Sequence, residues 1–360
     1  MIIFSVALQG LLFGQDSIKK DSVGKYLEET LRLQQAIEKY FHDDSSGYYK
    51  ETVQVEKGQH AYSYLWPICG MLQANNEIEK LTWQKDLFDK TIKVAKSYYD
   101  TAMPAPGYAS YITKFGGGDR FYDDNQWIGI AAMDAWFRNG DDLYLNTGKE
   151  IYRYMMSGYD TILGGGIYWQ ENRKNTKNTC SNGPGIILAL QLYKATRKKE
   201  YLDTALLLYN WVNKYLKAPS GLYYDNIRIN NKRISPRQYS YNTGTMLQSN
   251  VYLYELTGKK KYLHEAVVIA DSSVGNFYGK GKFIDNLWFN AVMLRAYQHL
   301  LQYHKDGRYI KAFKICTDHA LGNIKNEMGL MGKEKAFDLV QQSGMLEILA
   351  RLAWLEKNLE

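Results

Sequence analysis

The chain has 360 residues, room for two average domains or one large one, and an apolar fraction of 45% that supports a sizeable core and excludes a disordered chain. Its net charge of +7 is scattered in short groups such as Arg197-Lys198-Lys199 and Lys259-Lys260-Lys261, which argues for a wet surface and against a nucleic-acid partner. The outlying count is 31 Tyr, beside 8 Trp and 12 Phe, a composition that suits helix packing and also surfaces that meet sugars.

Residues 1–13 are apolar and lead into Gly14-Gln15-Asp16. The run is too short to span a bilayer and reads as the core of a secretory signal over residues 1–15, although no Lys or Arg precedes it. No Cys follows Gly14, so the expected product is exported without a lipid anchor or stable membrane insertion, with residues 16–360 forming one catalytic domain. Cys69, Cys180 and Cys316 lie far apart and make neither a metal spacing nor a disulfide framework.

Repetition then organises the chain. The stretch Cys180-Ser181-Asn182-Gly183 leads to Leu192-Tyr193, Thr196 and Tyr201-Leu202. Ser240-Tyr241-Asn242-Thr243-Gly244 leads in the same way to Leu253-Tyr254, Thr257-Gly258 and Tyr262-Leu263. The preceding unit runs from Asp123-Asp124-Asn125 to Gly140 and Tyr144-Leu145. Aligning the polar starts gives six helix beginnings near Ser63, Asp124, Ser181, Tyr241, Asp285 and Gln341, spaced by 61, 57, 60, 44 and 56 residues. Each unit holds an apolar helix, a polar connector, a second amphipathic helix and a return loop. Such hairpins cannot bury their apolar faces alone and must pack side by side. Closure of six gives an all-α (α/α)6 barrel, with residues 22–41 supplying the last helix; an open solenoid is the alternative. Residues 165–169 and 220–224 read as loop hairpins.

The repeats provide an internal control on function. Asp141-Asp142 corresponds to Lys198-Lys199 and Lys259-Lys260, so that connector accepts either sign and is structural, as is Asp43-Asp44. At the helix mouths the counterparts of Asp123-Asp124 are Cys180-Ser181, Ser240-Tyr241 and Ile284-Asp285; only one unit carries two carboxylates. Acids at a helix start also act as caps. Asn125, Asn182 and Asn242 recur there, with capping and substrate contact both open to them. Trp127 has counterparts at Trp66 and Trp288, for which core packing is the simpler role. A mouth lined by Tyr122, Tyr241, these Trp residues and Asn amides, with one acid pair, fits a carbohydrate cleft. Adjacent Cα atoms lie about 3.8 Å apart, so two such carboxyls can stand about 5 Å apart, the separation of a retaining glycosidase. Their repulsion raises one pKa and keeps one proton. No loop has the spaced ligands of a calcium site, and no metal or other cofactor is expected.

Three motifs together resemble glycoside hydrolase family 76, the bacterial and fungal endo-α-1,6-mannanases. They are Tyr122-Asp123-Asp124-Asn125-Gln126-Trp127, Asn178-Thr179-Cys180-Ser181-Asn182-Gly183-Pro184, and Tyr239-Ser240-Tyr241-Asn242-Thr243-Gly244. The resemblance covers roughly residues 25–355. It implies an (α/α)6 fold, a retaining reaction on α-1,6-mannan, Asp123 as nucleophile and Asp124 as general acid/base. The chain departs from the family at Thr243, where Gln is usual, and at Trp288-Phe289-Asn290, where Phe-Lys-Gly is usual. Both departures are expected at the cleft. A mannan transglycosylase, an unsaturated glucuronyl hydrolase and a non-catalytic glycan-binding protein are the competing readings. A sugar epimerase would need His groups, of which only His60 lies near a helix start. A monomer is expected.

Overall fold

The structure is a computed structural model that describes residues 24–332 and 337–359; the expected signal over residues 1–15 lies outside them. Among the described residues twelve α-helices follow one another. Six form an inner ring: α2 (Leu65–Leu81), α4 (Tyr122–Asn139), α6 (Thr179–Thr196), α8 (Ser240–Thr257), α10 (Leu287–Leu300) and α12 (Leu339–Leu359). Each begins within two residues of its aligned position. The outer six are α1 (Lys25–Phe41), α3 (Leu87–Ala95), α5 (Asp142–Met156), α7 (Lys199–Tyr215), α9 (Lys260–Ser273) and α11 (Arg308–Asn323). Each inner helix packs on the next, and α12 packs on α2, so the ring closes and the open solenoid is excluded. The first helix, α1, backs onto the last, α12.

The two rings differ because their sequences do. Nearly every position of α6 is buried, as expected of a helix apolar all round, whereas α5 buries one stripe that includes Tyr144, Ile151 and Tyr154. Close approach of inner helices rests on glycine. A Cβ at Gly244 would lie 2.9 Å from the Met293 Cα, and one at Gly344 would meet the backbone of Trp288. The connectors repeat as well: α4, α6 and α8 end at Gly140, Arg197 and Gly258, all in the left-handed conformation. Asp141 caps α5, its carboxylate accepting from Leu143 N–H, in keeping with a structural role.

All inner helices start at one mouth. The loops there carry small antiparallel pairs, β1 (His42–Asp43) with β2 (Tyr48–Tyr49) and β3 (Tyr99–Asp100) with β4 (Gly107–Tyr108). A three-stranded sheet of β5 (Thr176–Asn178), β6 (Tyr224–Arg228) and β7 (Ile234–Gln238) stands over α6 and α8. Both expected loop hairpins pair: residues 165–169 through Tyr159 with Ile167 and Tyr168 with Lys177, and residues 220–224 through Lys217 with Tyr223, just before β6.

Candidate active site

A cleft of about 920 Å³ opens at this mouth, with Asp123 and Asp124 in the first turn of α4 on its floor. Among the described residues its lining contains five acids, Glu51, Asp119, Asp123, Asp124 and Asp225, and no Lys or Arg. Four of the five are held by neighbours. Glu51 accepts from Ser63 Oγ and Tyr64 N–H, both at 2.9 Å. Asp119 accepts from the Gln170 and Asn172 amides, and Asp225 from Asn226 at 2.8 Å and Asn242 at 3.3 Å. Asp123 Oδ2 accepts the Trp169 indole N–H at 3.2 Å, while its Oδ1 has no partner. The Cys180 thiol lies beside the same carboxyl.

Asp124 is different: nothing lowers its pKa. Burial and the charge of Asp123 both push it well above the ordinary carboxylate range. Burial also raises Asp123, but Cys180, Trp169 and the backbone N–H groups of the helix start oppose it, leaving it at about 6. The higher carboxyl therefore keeps the shared proton, and the lower one ionises.

The cleft wall is aromatic. Trp288 meets Trp127 and Trp66 edge-on, with ring centroids 5.1 and 5.7 Å apart. Phe289 stacks on Tyr241 at 4.0 Å and lies over Trp66 at 5.9 Å. Trp127 and Trp288 are each only 2% exposed and offer an edge, so Trp66, Tyr241 and Phe289 present more of the wall. On the other side stands Trp169, 39% exposed, with the β5–β6 edge behind it.

Four of the expected substrate contacts are corrected by burial. Tyr122 is fully buried and stacks on Tyr154 at 5.1 Å, behind the cleft. Asn125 and Asn182 are fully buried and act as clamps. The Asn125 amide accepts from Tyr108 N–H at 2.7 Å and donates to Tyr108 C=O at 2.9 Å. Asn182 does the same to Ile167, at 2.8 and 3.0 Å, and Gln342 to Met331, at 2.7 Å both ways. Asn242 is also buried, donating to Asp225. Asn125, Asn182 and Gln342 hold incoming loops against the helix starts, and Asn242 is buried against the cleft-lining Asp225. Thr243 is buried as well, so the departure there does not reach the cleft, whereas Phe289 lines it.

Of the residues singled out in the sequence, Asp123, Asp124, Trp66, Trp127, Tyr241 and Trp288 line the cleft. Phe289, one of the departures expected there, lines it too, whereas Trp169, Cys180 and Asp225 were missed as lining residues. Trp169 carried a signal, an indole in a glycine-rich return loop; Asp225 sits in a strand whose pairing no local pattern announced.

The family model for Glycosyl hydrolase family 76 matches residues 27–322. A mannan endo-1,6-alpha-mannosidase, DCW1, of Candida glabrata is 32% identical over 154 residues, which are 38% of this chain and 34% of that protein. The aligned segment thus spans about a third of the length of the curated relatives. Among solved structures, the family 76 mannosidase Bt3792 of Bacteroides thetaiotaomicron VPI-5482 is 26% identical, covers 94% of this chain and all of its own, and superposes with a TM-score of 0.84. An inactive α-1,6-mannanase of Salegentibacter sp. HEL1_6, with two consecutive aspartates replaced by asparagine and α-1,6-mannotriose bound, is 22% identical, covers 92% and 99%, and has a TM-score of 0.78. With the model matched across most of its length, this chain belongs to glycosyl hydrolase family 76.

Proposed function

We propose that the protein is an exported retaining endo-α-1,6-mannanase whose one catalytic domain uses Asp123 as nucleophile and Asp124 as general acid/base. The observation that carries this is the asymmetry of the pair: an indole and a thiol beside Asp123 lower its pKa, whereas burial and the charge of Asp123 both raise that of Asp124. A general acid must hold a proton near neutral pH, and a nucleophile must be ionised and aimed. Trp169 and Cys180 favour the ionised form of Asp123, while burial and repulsion favour the protonated form of Asp124. Asp123 would attack the anomeric carbon as Asp124 protonates the departing glycosidic oxygen. Asp124, now a carboxylate, would take a proton from water as that water displaces Asp123, restoring the α configuration.

The relatives support the substrate, since those aligned act on α-1,6-linked mannan by name, and the inactive Salegentibacter protein lacks the same kind of dipeptide. Export is supported by the apolar run at residues 1–13; among the described residues no helix is long and apolar enough to cross a membrane. The test is incubation with debranched α-1,6-mannan while proton NMR follows the first-formed anomer. An α-anomer is expected. A β-anomer would mean inversion and would move one catalytic role to another carboxylate.

A further inference from the structure

The loops that enter α2 and α4 carry a row of aromatic side chains that is anchored on the core by Tyr48, Tyr62 and Tyr111 and leaves Tyr64, His60 and Phe115 exposed, away from the catalytic pair. At the cleft edge Tyr64 is 41% exposed and lines the cavity. It meets Tyr111 at 5.6 Å and the exposed His60 at 5.4 Å, and His60 lies over Tyr111 at 4.2 Å. The row continues outward. Tyr62 N–H donates to the Tyr111 hydroxyl at 3.3 Å, and the Tyr62 ring stacks on Phe115 at 5.6 Å and 24°. Tyr48 stands edge-on to Tyr62 at 5.1 Å, and the Lys114 ammonium sits 4.6 Å from the Tyr48 ring and 4.8 Å from Phe115.

Two features mark this row as built. Phe115 is 48% exposed although it is wholly apolar, held out by a one-turn helix, Thr113–Phe115, whose end is the left-handed run Gly116-Gly117-Gly118. Folding gains little from an exposed Phe, and adjoining exposed aromatics mark a contact surface. The row is also preorganised: Tyr111 is buried, and the Tyr62 hydroxyl donates at 3.3 Å to Asp43, whose other contacts are Ser45 and Ser46 in the β1–β2 turn. Flat apolar faces with hydroxyl, imidazole and ammonium groups at their edges match a pyranose, which has an apolar C–H face and a polar rim. Tyr64 belongs to both the cleft and the row, so a chain lying in the cleft continues onto it.

We infer that this aromatic row is a distal binding track for the same polysaccharide, holding sugar units beyond those in the cleft. The inference rests on the proposed mannanase function and extends it: the enzyme gains affinity with chain length, and binding energy from remote units keeps a long chain engaged near Asp123 and Asp124. A protein partner or a second copy of this chain would use the same exposed faces but would not scale with the length of the glycan.

The test uses the full chain with Asp123→Asn, so that ligands stay intact, and measures binding of α-1,6-manno-oligosaccharides from the disaccharide upward by calorimetry. Affinity is expected to rise with length beyond the units that fit the cleft. His60→Ala with Phe115→Ala should remove that rise, about two- to tenfold for each aromatic face lost, and leave the disaccharide affinity in place. Phe115→Tyr, which keeps the face, should restore the Phe115 share. An unchanged length dependence in the double variant, with short ligands bound normally, overturns the track alone. If the unmutated enzyme neither binds nor cleaves α-1,6-mannan, the functional reading falls and the track with it.

Discussion

The two mouths of the barrel treat charge in opposite ways. Where the inner helices start, Asp123 and Asp124 face a cleft with no basic lining group among the described residues, and both carboxyls are pushed toward protonation. Where the same helices end, buried charges close the axis in pairs. Arg295 grips Asp134 through both guanidinium nitrogens, at 2.5 and 2.9 Å, and Gln191 and Gln248 complete the set. Arg351 reaches Glu347 at 2.7 Å and Glu77 at 3.2 Å, and Lys80 meets Glu77 at 2.8 Å. Burial alone would raise Glu77, but Arg351 and Lys80 outweigh it and hold it at about 2. Glu347 shows the balance within one cluster, since burial outweighs Arg351 there and raises it. Burial of a carboxyl is common to both ends; the starting mouth pairs its two acids with each other, and the far end pairs its acids with arginine and lysine, as structural ion pairs.

The sharpest way to break this comparison is to neutralise the reactive end. Asp123→Asn or Asp124→Asn should each lower mannan hydrolysis by ~10³-fold or more. Only Asp124→Asn should still form a glycosyl-enzyme from a substrate with a good leaving group and be rescued by azide. The same two variants should be more stable than the parent at neutral pH, by on the order of 1–3 kcal/mol. The sign follows from linkage. A carboxyl whose folded pKa lies above its unfolded value near about 4 costs stability as pH rises through that interval. The gain in the Asn variants should therefore fade as pH falls below about 4, as thermal melts across pH would record.

The inert end should respond in the reverse sense. Arg295→Ala leaves Asp134 buried without its partner and should cost about 3–5 kcal/mol in denaturant unfolding, while turnover per folded molecule stays close to the parent's. The depressed Glu77 gives the opposite pH dependence from the catalytic pair. Its contribution is present above about 4.3, the unfolded value, and is lost as pH falls toward 2. Catalysis lost as severely as stability in Arg295→Ala would show that the two ends are not independent.

The smallest effect sharpens the assignment within the pair. Trp169→Phe removes the indole N–H from Asp123 while keeping an aromatic wall. Asp123 should then ionise at higher pH, so the acidic limb of the kcat/KM profile should move upward from near 6, with about a tenfold loss below the optimum. A shift of the alkaline limb alone would mean that Trp169 serves Asp124 instead.

Much of this was legible in local pattern. The recurrence from Asp124 through Ser181 to Tyr241 sets where the inner helices begin, because a helix apolar all round has to be surrounded, and six such units close on themselves. The acid pair stood out because its counterparts in the other units are uncharged or singly charged, and both acids do lie in the cleft. What local pattern could not decide was direction. Asn125 and Asn182 occupy the position expected of sugar contacts, yet a rotation of one residue about the helix turns them from the cleft into the loops they clamp, and Asn242 is buried against Asp225. Trp169 and Asp225 arrive from a return loop and a strand farther along the chain, and only the closed ring brings them against α4. The pKa asymmetry of Asp123 and Asp124 is likewise tertiary. Two identical neighbours in sequence differ only in what the fold places beside each, an indole and a thiol for one and an ionised carboxylate for the other.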